Sequence, residues 1–376
     1  MAEARLKEYI DINPTVKLQK GEMYSSVEMD KITVGQKVAN ANNKAEYTGK
    51  SCSKFLPNDT LMARITPCLE NGKIAKYESD SAGFGSTEFF VLRAKKNKAI
   101  ADYVYYLSQT HYVRQLAVNS MTGASGRQRA NAKFIGNIKW NFPDMEVQER
   151  IVKILSSYDN LIENNNKRIR LLEQMAENLY KEWFVRFRFP GYEDVEFESG
   201  IPKRWNIEKV KKCVKRLPFN QLYKQKELEP EGTVIVIDQS SADYLGFHNN
   251  EPSHYANIDS PIILFGDHSC KFVLMIRDFS LGENVVPFMT IDEKVLDNYY
   301  LYYVVHKLIS TEEYKRHWSR FTAMKIFVPE YRLQKEFSNI VKSMIEEKQK
   351  LWNENQLLIK QRDMLLPRLM SGKLEV

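Results

Sequence analysis

Cysteine and histidine are scarce in this chain, with four of the first and six of the second. Cys52, Cys68, Cys213 and Cys270 form no CxxC pair and stand at no metal-ligand spacing with a histidine, so reduced thiols in a cytoplasmic protein are expected. His248 and His254 share a polar loop but are weak ligands on their own, and no metal is expected. No run approaches the ~18 apolar residues of a membrane span. The first residues, MAEARLKEYI, lack the continuous apolar core of a signal peptide. The 16 glycines never fall into a P-loop or an FxGxG cofactor loop, and NPPY, DPPY, GxSxG and HExxH are missing too. The nearest approach to a nuclease carboxylate set is Asp297 with Glu313-Tyr314-Lys315, a spacing that many chains carry by accident. Glu313 and Lys315 read better as a solvated helix face. No catalytic residue is expected.

What is present is long helical pattern. From Pro143 to Phe184 there is no glycine, and proline stands only at the first position. Apolar residues fall at Val147, Ile151, Ile154, Tyr158 and Leu161, then at Ile169, Leu172, Ala176, Leu179 and Trp183. Steps of three and four make a coiled-coil seam, with one stutter through Asn165. Some 40 residues at ~1.5 Å each give a rod of ~60 Å, too long to be buried in one ordinary domain. A matching stretch begins at Pro329. Pro143, Val147-Gln148, Ile151 and Ile154 correspond to Pro329, Leu333-Gln334, Phe337 and Ile340 at one offset, and Lys139 corresponds to Lys325. Such self-similarity marks a duplicated unit.

The segments between the helices are related more loosely. Residues 59–67, KIAKYES and 87–95 are strand candidates in the first half; TVIVIDQ, PIILFGDHS and FVLMIRDF are those of the second. A helical stretch from Ala99 to Val118 carries Tyr103-Val104-Tyr105-Tyr106-Leu107, which matches Tyr300-Leu301-Tyr302-Tyr303-Val304. These aromatics fit a helix–sheet core better than a base-stacking platform. A Gly/Ser loop, SMTGASGRQRANAKFIGNI, carries Arg127, Arg129 and Lys133 in the first half only. Such a loop can lay guanidinium groups on phosphates or base edges, or be a solvated surface loop. Residues from Phe187 to Trp205 are broken by Pro190-Gly191 and Gly200 and read as a linker outside any core.

The expected order is therefore a globular domain (1–142), a long helix and linker (143–189), a second domain (190–328) and a second helix with a tail (329–376). The fold class is α+β, with two similar domains joined by an antiparallel helix pair in a pseudo-two-fold arrangement. Antiparallel helices are the economical choice, because a domain of ~140 residues spans less than the rod. Of the net charge of +7, the first domain carries the excess, with 21 Lys and Arg against 13 Asp and Glu; the second has 17 against 20. A polyanionic partner is expected.

Several stretches carry a family resemblance: VQERIVKIL leading to LLEQMAENLYKEWFVRFRFPG, GIPKRW opening the second half, VIDQS, ILFGDH, and the ending RDMLLPRLMSGKL. Over nearly its whole length the chain resembles the specificity (S) subunit of type I restriction–modification systems. The resemblance implies a non-catalytic subunit with two target-recognition domains. Each would read half of a split double-stranded DNA target, while the helices set the spacer and dock two methyltransferase subunits. Restriction/translocase subunits would join that core. S-adenosylmethionine, ATP and Mg would belong to those partners, leaving no cofactor in this chain. The DNA-contact candidates are Arg64, Lys73, Arg127, Gln128, Arg129, Asn131 and Lys133 in the first half. In the second they are Lys209, Lys211, Lys212, Lys215, Arg216, Arg316, Arg320 and Lys325. The helix-pairing or partner candidates are Ile151, Ile154, Ile169, Leu172, Leu179, Trp183, Phe337, Ile340, Leu351, Leu358 and Leu365. The alternative reading is a coiled-coil adaptor, or another non-catalytic DNA-binding protein outside restriction–modification.

If the helices act as a ruler, adding ~7 residues between Leu161 and Ile169, matched between Met344 and Leu358, lengthens the rod by ~10 Å and keeps the seam. The spacer of the modified motif should grow by about three base pairs, with both half-sites unchanged. Methylation sequencing reads the motif directly. An active variant with unchanged spacing would rule the ruler out.

Overall fold

In the computed structural model, residues 2–124, 126–219, 221–309 and 317–376 are described. The chain forms two compact units, Met1–Lys167 with Leu351–Val376, and Arg168–Lys350. Each unit thus takes a part of both long helices, which run Met145–Tyr180 and Tyr331–Met370. The first helix continues through a π-helical turn at Lys181–Val185.

In the first unit, Ala2–Arg5 pairs antiparallel with Lys139–Phe142, directly before the long helix. A one-turn helix, Leu6–Tyr9, then feeds Ile10–Ile12 into an antiparallel sheet. The strand order is Ile10–Ile12, Phe89–Ala94, Thr60–Ala63, Ile74–Lys76. A second sheet sets Met23–Val27 parallel to Gly83–Gly85, with Lys44–Glu46 and Ser53–Phe55 outside. Hydrophobic strands such as Thr60–Ala63, buried at every position, lie under the helix Ala101–Gln109.

The second unit repeats this plan, except that among the described residues its smaller sheet has three strands rather than four. Asn206–Lys209 pairs with Lys325–Val328, and Val210–Cys213 makes the one-turn helix. The main sheet runs Val214–Arg216, Val285–Thr290, Ile262–Gly266, Phe272–Met275. The smaller sheet sets Val234–Ile237 parallel to Phe279–Leu281, with Gly246–His248 on its other side. The duplication seen in the helix sequences therefore extends to sheet order and strand sense, where the residues themselves have diverged.

Three local expectations are corrected. The stretch from Ala99 to Val118 is two helices, Ala101–Gln109 and His111–Asn119. Thr110 is extended between them; its Oγ1 donates to Leu107 O (2.7 Å) and accepts from Val113 N (3.4 Å), ending one helix and capping the next. Within 187–205, Phe189 and Trp205 belong to the second unit's core while residues 190–200 are mostly exposed: the turns at Gly191 and Gly200 bring Trp205 back onto Phe184, Phe187 and Phe189. Both glycines have φ near +80°, which a side chain would strain. The helix stripe also shifts by one position. Asp159 and Ile162 are buried, whereas Leu161 is exposed. A pattern read from apolar residues alone cannot place a seam that includes an aspartate.

That seam holds polar groups at set places. In the first unit Arg362 Nη1 donates to Asp159 Oδ1 (2.7 Å) and to Gly35 O (3.2 Å), and Tyr106 Oη donates to Asp159 Oδ2 (2.5 Å). Burial, and then the Asp159 carboxylate, keep the Tyr106 hydroxyl protonated far above its usual range. Asn165 Nδ2 donates to Asn355 Oδ1 and Glu354 Oε2, both at 3.1 Å. Asp159 facing Arg362 while Asn165 faces Asn355 makes the two helix segments antiparallel. In the second unit the helices meet through Tyr180, Trp183 and Phe184 packed on Phe337.

At the start of each long helix sits a wholly buried glutamine. Gln148 Nε2 donates to Pro143 O (3.0 Å) and Lys98 O (3.1 Å), and its Oε1 accepts from Ile100 N (3.0 Å). Gln334 Nε2 donates to Pro329 O (2.8 Å) and Val295 O (3.1 Å), and its Oε1 accepts from Asp297 N (3.0 Å). Each ties the long helix to the start of the aromatic helix of its own unit. Replacing either glutamine by alanine should leave buried backbone groups without partners and destabilise that unit by about 2–4 kcal/mol, from about 1–3 kcal/mol for each stranded group. Urea titration followed by tryptophan fluorescence reads this. A loss below about 0.5 kcal/mol in both variants would show that the clamp is incidental.

Candidate nucleic-acid interface

The Gly/Ser loop is held against the sheet edge rather than hanging free. Thr122 and Arg129 exchange backbone hydrogen bonds, Thr66 N donates to Gln128 O (3.0 Å), and Ala130 N donates to Arg64 O (2.8 Å). Gln128 N donates to Thr66 Oγ1 at 3.2 Å. The loop end is closed by Asn131, whose Oδ1 accepts from Lys133 N (2.9 Å) and Phe134 N (3.2 Å). Asn131 is thus a cap for the helix Ala132–Asn137 through its Oδ1.

Within this frame the cations divide. Arg129 forms a two-pronged pair with Glu88, Nε to Oε2 at 2.9 Å and Nη2 to Oε1 at 2.6 Å, and this hydrogen-bonded carboxylate raises its pKa. Arg64 lies over the Phe90 ring at 5.3 Å, with its Nε 4.0 Å from the same carboxylate. Lys73 donates to Met29 O at 2.9 Å. Arg127 and Lys133 are exposed, and among the described residues neither side chain has an ion-pair partner. The structure therefore brings Arg64 and Arg129 together around Glu88 and leaves Arg127 at the surface.

The second unit carries its candidates on two places. Lys209 and Lys325 are opposite each other on the two-stranded ladder, and Lys211 and Lys212 follow on the one-turn helix. Lys212 is 3.3 Å from Glu208. Lys215 and Arg216 are exposed on the edge strand Val214–Arg216, where the Arg216 guanidinium lies 5.7 Å from the Trp318 ring centre. Arg320 is exposed on the helix Trp318–Ala323. Arg316, like Glu313 and Lys315, lies outside the described residues. One cluster had no signal in the sequence. Lys54 sits over the Tyr47 ring at 4.9 Å, and the Lys20 side chain lies beside Gly49.

The helix candidates fall mostly on the covered side. Ile151, Trp183, Phe337 and Leu351 are buried, and Ile154, Ile169, Leu172, Leu179, Leu358 and Leu365 are half-buried. Ile340 is exposed. The histidines are packing groups: His248 stacks on Tyr223 at 4.2 Å and His254 on Phe279 at 5.0 Å. Among the described residues no group of three or more His, Cys, Asp and Glu is placed to hold a metal, and no helix is long and apolar enough to cross a membrane.

Residues 1–174 match the family model of the type I restriction modification DNA specificity domain. The MjaIX type I restriction enzyme specificity subunit of Methanocaldococcus jannaschii is 25% identical over 370 residues, spanning 89% of this chain and 82% of that protein. Over most of its length this chain is thus similar to type I specificity subunits, with the domain match confined to residues 1–174. Another specificity subunit, that of HindI from Haemophilus influenzae, is 27% identical over 151 residues, 39% of this chain and 32% of that protein. The crystal structure of the type I S subunit from M. genitalium superimposes with a TM-score of 0.54 at 15% identity, covering 98% of this chain and 96% of that one. That last likeness is one of fold.

Glu88 and Arg127 give opposite expectations for a polyanion. Arg127→Ala should weaken binding of duplex DNA by about 1–3 kcal/mol if it holds a guanine edge, and should relax one motif position. Glu88→Gln removes a carboxylate beside two arginines and should tighten binding to any sequence, steepening the salt dependence by about one phosphate's worth. Fluorescence anisotropy over a salt series measures both. No change in either variant would return the loop to a solvated surface.

Proposed function

We propose that the chain is the non-catalytic DNA-specificity subunit of a type I restriction–modification complex. Residues 1–142 and 190–328 are read as target-recognition domains, each taking one half of a bipartite duplex site. The observation that carries this reading is a repeated sheet plan with a non-repeated loop. Shared topology supplies a common way to sit on DNA, and differing loops supply different sequences to read. The Gly/Ser loop with Arg127 and Arg129 has no counterpart in the second half, where only WSRFTAMK stands.

The long helices are read as the docking face for two methyltransferase subunits, with restriction subunits joining that core. Leu171 and Leu357 stand 186 residues apart, the offset that relates the helices, and both are more than half exposed (57% and 61%). Two equivalent apolar positions on a duplicated helix suit two copies of one partner. S-adenosylmethionine, ATP and Mg are assigned to those partners.

Comparing N6-methyladenine in the host with and without the gene tests the central claim. Loss of one split motif is the expected outcome, and an unchanged methylome would favour the adaptor alternative. Leu171→Glu and Leu357→Glu should each remove one methyltransferase copy from the assembled complex, read by native mass spectrometry. Full stoichiometry in the double variant would move the docking face elsewhere.

A further inference from the structure

The start of each unit carries the same small pattern of cations. Ala4-Arg5-Leu6-Lys7 of the first unit corresponds to Glu208-Lys209-Val210-Lys211 of the second. The register is fixed by burial: Leu6 and Val210 are 3% and 0% exposed, and Ile10 and Val214, four residues on, are also buried. Arg5 lies directly opposite Lys139 on its ladder, and Lys209 lies directly opposite Lys325. Lys7 and Lys211 each take the second position of the one-turn helix that follows. The result is the same exposed triad in both units, Arg5/Lys7/Lys139 and Lys209/Lys211/Lys325.

Like charges directly opposite on paired strands repel, so the arrangement works against folding unless an anion uses it. Among the described residues only Lys139 of the six has its side chain in an ion pair, with Glu3 at 2.8 Å, and both of those side chains are more than half exposed; Glu8 approaches Arg5 only at its backbone N–H. Among the described residues the other five cations have no ion-pair partner. The loops that would read bases differ between the units, whereas this triad is kept in both. What is retained must serve what is common to both half-sites, and that is the sugar–phosphate backbone. Five lysines and one arginine also fit a protein partner poorly, because protein interfaces are depleted of lysine and built on apolar anchors.

We propose that the two triads are equivalent phosphate clamps that seat each unit on the duplex independently of sequence. The proposal rests on the reading of the chain as a DNA-specificity subunit, and it adds Arg5, Lys7 and Lys139 to the residues that contact DNA.

The test uses the full-length chain, two variants (Arg5→Ala/Lys7→Ala/Lys139→Ala and Lys209→Ala/Lys211→Ala/Lys325→Ala) and two duplexes. One duplex carries the motif found by methylation sequencing, and the other is unrelated. Each variant should make the slope of log K against log salt shallower by about 2–3, at about 0.9 per phosphate. Affinity should fall by the same factor on both duplexes, so that the preference for the motif is unchanged. The corresponding lysine-to-arginine variant of the second triad should keep the wild-type slope. If an alanine variant loses its melting transition, the glutamine variant, which keeps the aliphatic stem, takes its place. Unchanged slopes would overturn the clamp, as would a loss confined to the motif duplex, which would mark base contacts. Unchanged slopes with loss of methyltransferase subunits from the complex would make the triads a protein-docking surface instead. A wild-type chain with no motif preference and no effect on methylation would sink the specificity reading itself. The clamp is refuted separately, by unchanged slopes or by a loss confined to the motif duplex.

Discussion

A long helix that leaves a small α+β unit needs its direction fixed where it leaves, since any tilt there is multiplied along its length. In each unit that direction is set by one side-chain amide. Gln148 and Gln334 satisfy one backbone donor and two backbone acceptors apiece, joining the helix entry to the start of the aromatic helix. An apolar residue there could pack, but it could not choose an angle, because dispersion contacts have little directionality. A fully satisfied buried amide can, at the modest net gain typical of neutral hydrogen bonds. The strand ladder just before each helix, Lys139–Phe142 and Lys325–Val328, adds a second fixed point.

Much of this architecture was legible because duplication gives a sequence two chances to show its pattern. The paired helices, the aromatic helix in each half and five of the eight main-sheet strands follow from periodicity and from matching offsets; Ile10–Ile12, Val214–Arg216 and Val285–Thr290 do not. The parts that escaped share a physical cause. Asp159, Asn165, Asn355 and Arg362 occupy the buried stripe, so a rule that looks for apolar residues steps past them and selects Leu161 in their stead. Phe189 and Trp205 were assigned to a linker because the glycines between them signal a break. They do mark turns, but the turns bring the aromatics back to the core.

The candidate interface was legible by composition and much less by geometry. Charge excess in the first half located Arg127 and Arg129, but only coordinates show that Glu88 already holds one of them and leaves the other at the surface. Asn131 reads as a DNA-contact candidate from its place in a polar basic loop, and the structure adds that its Oδ1 caps the helix that follows. Contacts that arise by fold alone, such as Lys54 over Tyr47, have no linear signature.

The buried Asp159–Arg362 pair has a consequence for how the two halves choose each other. At the offset relating the helices, the residue of the first helix that corresponds to Arg362 is Ala176, and the residue of the second that corresponds to Asp159 is Ile345. A symmetric dimer made from two copies of the first half would therefore set Asp159 against Ala176 and strand a buried carboxylate, a penalty of about 3–5 kcal/mol at each of two places. Two copies of the second half would set Arg362 against Ile345, leaving it only Asp363 on its own helix as an ion-pair partner. One charge on each helix thus makes the covalent arrangement the matched one and self-pairing the mismatched one. The duplicated halves are complementary rather than interchangeable.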